Sequence, residues 1–175
     1  MKIVKFNPEK CMSCKSCLIA CAIEHSDSKH IFTAVGENPK PVTRLQLRKN
    51  KSSVSIEKCA HCDLAPCIDK CQSHALYKDH QSQSVIVDYS KCKSCGICIK
   101  VCPNKAFVKI NKLVFKCDGC LDRVKQGDIP ACVAACKTGS LTFSDHPKML
   151  ADRVTPKVSC FSWGTVMYSF SLSKR

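Results

Sequence analysis

Apolar positions along this chain come in short runs, with no long periodic stretch. Four runs read as strands: Ile3-Val4-Lys5-Phe6, Ser53-Val54-Ser55-Ile56, Val85-Ile86-Val87 and Leu113-Val114-Phe115. Three more are Ala75-Leu76-Tyr77, Ala106-Phe107-Val108 and Ser140-Leu141-Thr142. Between them lie cysteine-bearing loops with room for one or two helical turns. The predicted unit is strand, loop, short helix, strand, and it recurs four times. Residues 26–52 form an irregular insert in which Pro39 and Pro41 flank a loop, and the stretch Thr43-Arg44-Leu45-Gln46-Leu47-Arg48 then reads as a further strand. The fold class expected is α+β, built from short strands and short helices.

Cysteine changes the picture: 17 of 175 residues, a density usual in disulfide scaffolds of short secreted chains. The segment Met1–Lys10 has no apolar core of a secretory leader, so the expected compartment is the reducing cytoplasm, where such chains bind metals. The net charge of +14 points towards nucleic acid until the thiolates are counted. Four iron–sulfur cubes with their thiolates would add about −8, leaving about +6. Nor do aromatic residues interleave the lysines as they do on a single-strand stacking platform, so nucleic acid is not the expected partner. No stretch reaches the roughly 20 apolar residues of a membrane helix, Val158–Leu172 being too short and too rich in serine.

The cysteines fall into four groups: Cys11/Cys14/Cys17/Cys21, Cys59/Cys62/Cys67/Cys71, Cys92/Cys95/Cys98/Cys102 and Cys117/Cys120/Cys132/Cys136. Every group opens C-x-x-C, closes C-x-x-x-C and is preceded directly by a lysine: Lys10, Lys58, Lys91 or Lys116. Three cysteines at C-x-x-C-x-x-C can cap three corners of one 4Fe–4S cube. The fourth, already in a helix, points to a neighbouring cube, as in two-cluster ferredoxins. Cys102-Pro103 completes the bacterial run C-x2-C-x2-C-x3-C-P. A zinc site instead uses two separated C-x-x-C-like pairs, which group four alone could half supply. The odd cysteine count also argues against disulfides.

With these motifs in view, the chain resembles the four-cluster iron–sulfur subunits of the dimethyl-sulfoxide-reductase type. It is most similar to the short cytoplasmic electron-transfer subunits of formate dehydrogenase–hydrogenase complexes (formate hydrogenlyase, hydrogen-dependent carbon dioxide reductase) and of carbon monoxide dehydrogenases. The resemblance covers about residues 1–145, and the segment Cys59-Ala60-His61-Cys62-Asp63-Leu64-Ala65-Pro66-Cys67 carries it closely. It implies four 4Fe–4S clusters. Cys11, Cys14, Cys17 and Cys136 would hold the first, and Cys21, Cys117, Cys120 and Cys132 the second. Cys59, Cys62, Cys67 and Cys102 would hold the third, and Cys71, Cys92, Cys95 and Cys98 the fourth. It further implies two bacterial-ferredoxin-like units, one nested in the other: residues 58–112 inserted into an outer unit of 1–57 plus 113–145. The sequence departs from the family where Cys71 is followed by Gln72 and Cys136 by Lys137, in place of proline.

No nucleophile–base pair, Gly-rich dinucleotide loop or phosphate loop is present, so no catalytic residues are expected. The function expected is conduction between a catalytic oxidoreductase subunit, of formate dehydrogenase, hydrogenase or carbon monoxide dehydrogenase type, and a second redox subunit or ferredoxin. A free-standing polyferredoxin is the alternative; a zinc-binding structural or nucleic-acid-binding module is the distant one. His61, inside a C-x-x-C loop, could tune a cluster or simply pack; the other histidines read as solvated surface. The four lysines could raise cluster potentials or be solvated. Cys160 reads as a small buried apolar residue. The segment 146–175, with Phe161, Trp163, Met167, Tyr168 and Phe170, is expected to dock on a partner or on another copy.

Overall fold

The computed structural model describes residues 2–50 and 53–145. The expected docking tail and Cys160 lie outside the described residues. Among the described residues eight short strands and six short helices follow in the order β1 (Lys2–Phe6), α1 (Ser16–Glu24), α2 (Ile31–Ala34), β2 (Gln46–Lys49), β3 (Val54–Glu57), α3 (Pro66–Asp69), β4 (Leu76–Lys78), β5 (Val85–Val87), α4 (Ile97–Val101), β6 (Phe107–Ile110), β7 (Leu113–Lys116), α5 (Leu121–Lys125), α6 (Ala131–Ala134) and β8 (Leu141–Asp145).

The strands pair as four antiparallel ribbons, β2–β3, β4–β5, β6–β7 and β1–β8. Three of these join the strand after one cysteine group to the strand before the next. The fourth brings the last strand back to the first, with Phe6 opposite Leu141 and Lys2 opposite Asp145. Two-stranded ribbons are marginal alone, and here each buries one face. One apolar cluster gathers Leu76, Val85, Phe107 and Val114 with Ile68 and Ile99. A second gathers Val4, Leu45 and Leu141 with Leu18, Ile56 and Phe143. Helix α3 packs on α4 within the first cluster and α1 on α6 within the second. The strand Leu113–Lys116, on the outer side of the boundary at 112 drawn from sequence, pairs with β6 and buries Val114 among the residues of 58–112.

The seven short runs expected to be strands are all strands, within one to three residues at their ends. The stretch from Thr43 differs: β2 begins only at Gln46. The Arg44 amide donates instead to Cys21 Sγ at 3.3 Å, and Leu45 is 2% exposed in the core. Residues 26–43 are thus spliced between the last cysteine of group one and the strand that follows it directly in the other three groups.

Candidate metal centres

The four cysteine loops share one backbone device. The residue before the second cysteine is left-handed in every group: Ser13 (φ 58°), His61 (φ 51°), Ser94 (φ 53°) and Gly119 (φ 79°). For the three residues other than glycine this costs roughly 1–2 kcal/mol each. Strain that recurs at equivalent positions marks a site. The kink bends each C-x-x-C at the same point in its loop.

The last cysteine of each group is fixed by a second device, an amide N–H aimed at its sulfur. Ala106 N donates to Cys102 Sγ at 3.4 Å and Leu141 N to Cys136 Sγ at 3.3 Å. Burial raises the Cys71 thiol, but Ser73 Oγ and the amides of Ala75 and Leu76 outweigh it and leave its pKa below the ordinary value. In group one the donor is Arg44, delivered by the insert. Such bonds stabilise the thiolate form.

These devices gather the sulfurs into sets. Cys71, Cys92, Cys95 and Cys98 line one pocket. Cys59, Cys62, Cys67 and Cys102 line another. Burial raises the Cys17 thiol, with Cys11 and Cys136 close enough to add to the effect. Burial above all, with Cys21 among the neighbours that add to it, pushes Cys117 to about 11 and Cys120 to about 12. Cys132 is raised by burial and then by Cys117, Cys120 and Cys21. Thiols so shifted are poor nucleophiles at neutral pH, and ligation would release their protons.

Comparison with known proteins agrees with this geometry. A family described as a 4Fe–4S dicluster domain matches residues 51–146, which hold groups two, three and four. The chain belongs to this 4Fe–4S dicluster family. It is 32% identical over 147 residues to Protein NrfC of Escherichia coli (strain K12), covering 77% of this chain and 61% of that one. With an iron–sulfur protein of Rhodospirillum rubrum it shares 32% over 163 residues, 82% of each chain. With the iron–sulfur subunit of the nitrate-inducible formate dehydrogenase of Escherichia coli it shares 30% over 156 residues, 80% of this chain and 53% of the other. The chain therefore spans about half to two thirds of the length of two of these relatives. The resemblance to dimethyl-sulfoxide-reductase-type iron–sulfur subunits holds.

The donor set of this dicluster-family chain fits cubes better than zinc. Tetrahedral zinc at about 2.3 Å from each sulfur needs sulfurs about 3.8 Å apart. Among the described residues no three thiols lie within 4.8 Å of one another. The one tight group of potential ligands among the described residues is His25, Asp118 and Cys120. It is already satisfied without a metal, since Arg44 Nη1 donates to Asp118 Oδ2 and His25 Nε2 lies 3.2 Å from Asp118 Oδ1.

Four residues of this family member were not singled out from sequence: His25, Arg44 and Asp118, and Lys116 as a buried group. His25, expected from sequence to be solvated surface, is instead buried, its side chain only 10% exposed. Its Nδ1 lies 2.7 Å from the Cys21 carbonyl and 3.8 Å from Cys21 Sγ. Burial lowers its pKa, but the Asp118 carboxylate and Cys21 outweigh that and push it to about 9. His61 packs rather than facing solvent. Its Nδ1 accepts from the Val85 amide at 3.0 Å, and burial followed by Lys116 and Lys58 drives its pKa down to about 3. It is therefore neutral, with its proton on Nε2. Of the four lysines before cysteine groups, Lys10 and Lys91 are exposed, whereas Lys116 is 1% exposed and donates to the carbonyls of Val85 and Cys117.

Among the described residues no helix is long and apolar enough to cross a membrane.

Proposed function

We propose that the chain is a four-cluster electron wire. It has no catalytic site of its own, and links a catalytic oxidoreductase subunit to a second redox protein. The sixteen grouped cysteines hold four 4Fe–4S clusters in the sets named above, with two ferredoxin-like units nested. The packing of α1 on α6 and of α3 on α4, in two separate apolar clusters, supports the nesting.

One observation carries the wire: the gradient of burial across the sets. All five buried grouped cysteines, Cys21, Cys59, Cys67, Cys120 and Cys132, fall in the second and third sets. Both exposed ones, Cys14 and Cys95, fall in the first and fourth. A chain of centres shielded in the middle and open at both ends suits transfer from surface to surface. Between the middle sets runs a contact path from Cys59 through His61 and Val85 to Lys116 and Cys117.

When bound, the clusters supply one-electron storage, and the chain's own residues do the rest. The kinked loops and sulfur-directed amides hold each thiolate, and burial excludes water and sets the potentials. Relatives named as subunits of a formate dehydrogenase and of a tetrathionate reductase support a place beside a catalytic subunit. The test is anaerobic preparation followed by iron and acid-labile sulfide analysis. About sixteen of each per chain are expected, with visible absorption bleached by dithionite. Zinc in place of iron overturns the proposal.

A further inference from the structure

The chain leaves each cysteine group through one equivalent position, and one group of the four fills it differently. Arg44, Ala75, Ala106 and Ser140 each stand directly before a buried core residue, Leu45, Leu76, Phe107 or Leu141. Each also turns its backbone amide to the last cysteine of its group, Cys21, Cys71, Cys102 or Cys136. Small residues suit so enclosed a place, and Ala75, Ala106 and Ser140 are 1%, 2% and 2% exposed. Group one puts an arginine there, its side chain 18% exposed.

Both ends of that arginine are tied to one set of cysteines. Its amide donates to Cys21 Sγ at 3.3 Å. Its Nη1 donates to Asp118 Oδ2, and Asp118, which directly follows Cys117, accepts the Cys120 amide on Oδ1 at 2.9 Å. Cys21, Cys117 and Cys120 all belong to the second set. Between the two ends lies Nε, buried, whose N–H meets no acceptor, thiol sulfur included. Among the described residues it is the one buried side-chain nitrogen or oxygen left in this state. A buried N–H without an acceptor is costly, and native chains leave few of them. The acceptor that belongs in this space is a sulfide of the cube that Cys21, Cys117, Cys120 and Cys132 would hold.

We propose that Arg44 Nε–H donates to a sulfide of the second cluster and that Arg44 thereby stabilises the reduced form of that cluster. This rests on the four-cluster reading and deepens it. Reduction brings one electron from a neighbouring cluster, which is oxidised in turn, and makes the core more negative with no proton exchanged. A hydrogen bond from a cation to its sulfur favours that form. At the equivalent position the other three groups offer no such donor. Two have alanine, and Ser140 Oγ already donates to the Asn7 carbonyl at 2.6 Å.

The loaded full-length protein, prepared with the spin-half nitrogen isotope at arginine Nε alone, is reduced anaerobically with dithionite and examined by pulsed EPR. A hyperfine coupling between the isotope and a reduced cluster is expected in the parent chain, a measurement that needs no variant to fold. The coupling should vanish in Arg44→Lys, which keeps the charge and lacks the Nε–H, with iron and sulfide content at the parent's level. In an EPR-monitored titration Arg44→Met should lower the equilibrium constant for reducing one cluster about tenfold, and Arg44→Lys should fall between it and the parent. Arg48→Met, at an exposed side chain paired with Glu57, should change neither reading. No coupling in a parent chain with a full iron count overturns the donor and leaves the wire standing, the N–H then facing water or the nearby ring of Tyr89. Coupling that survives Arg44→Lys also overturns it, because another arginine then supplies the signal. A chain that takes up zinc in place of iron overturns both.

Discussion

At the scale of single residues, the charges inside the molecule matter more than those outside. Lys116 is an ammonium with almost no access to water, bonded to two backbone carbonyls between the two middle cysteine sets. A buried fixed cation favours the more negative, reduced form of a nearby cluster. Lys116→Met should lower the midpoint potential of at least one cluster in an EPR-monitored titration, whereas Lys10→Met and Lys91→Met should shift none by as much. It should also destabilise the fold by about 1–3 kcal/mol, because Val85 and Cys117 each lose a donor. The His25–Asp118 pair has its own pH signature. A histidine raised from its ordinary value to about 9 stabilises fully below its unfolded pKa, and that stabilisation drains away as pH climbs from about 6.5 past 9. Asp118 is held well below the usual carboxylate range against its own burial by His25 and Arg44, so its contribution persists above its unfolded pKa and fades in acid. Thermal bleaching of the clusters should occur at lower temperature at pH 9.5 than at pH 6.5, and the difference should shrink in Asp118→Asn. None of this was legible beforehand. Lysine and histidine are surface residues by type, and only tertiary packing decides which ones go under.

Among the elements, the repeat was readable because two chemistries mark it independently: sulfur spacing in the loops and β-branched or aromatic runs beside them. Strand partnership was not. Ser53–Ile56 and Leu113–Phe115 look alike in sequence, yet β3 pairs with β2 and places Ile56 in one core, while β7 pairs with β6 and places Val114 in the other. The cysteine pattern is silent on this, since it fixes loops and leaves ribbons free to choose neighbours. The insert at 26–43 hid another equivalence. Leu45 takes, after Cys21, the buried position that Leu76, Phe107 and Leu141 take after Cys71, Cys102 and Cys136. Leu45→Ala should therefore cost about 2–4 kcal/mol, as core truncations do. In urea melts the loss should match that of Leu141→Ala and exceed that of Leu47→Ala on the same ribbon.

Across the whole molecule, basic charge and sulfur have one logic. The formal +14 would fall to about +6 with the thiolates of four cubes, in the reading proposed above. The pairing of β8 with β1 bears on how such a chain is made. Residues 46–116 complete their three ribbons among themselves as they leave the ribosome, but Val4 and Phe6 wait for a partner until Leu141 and Phe143 have been synthesised. Those three ribbons can thus close on a nascent chain, while the β1–β8 ribbon closes only after them.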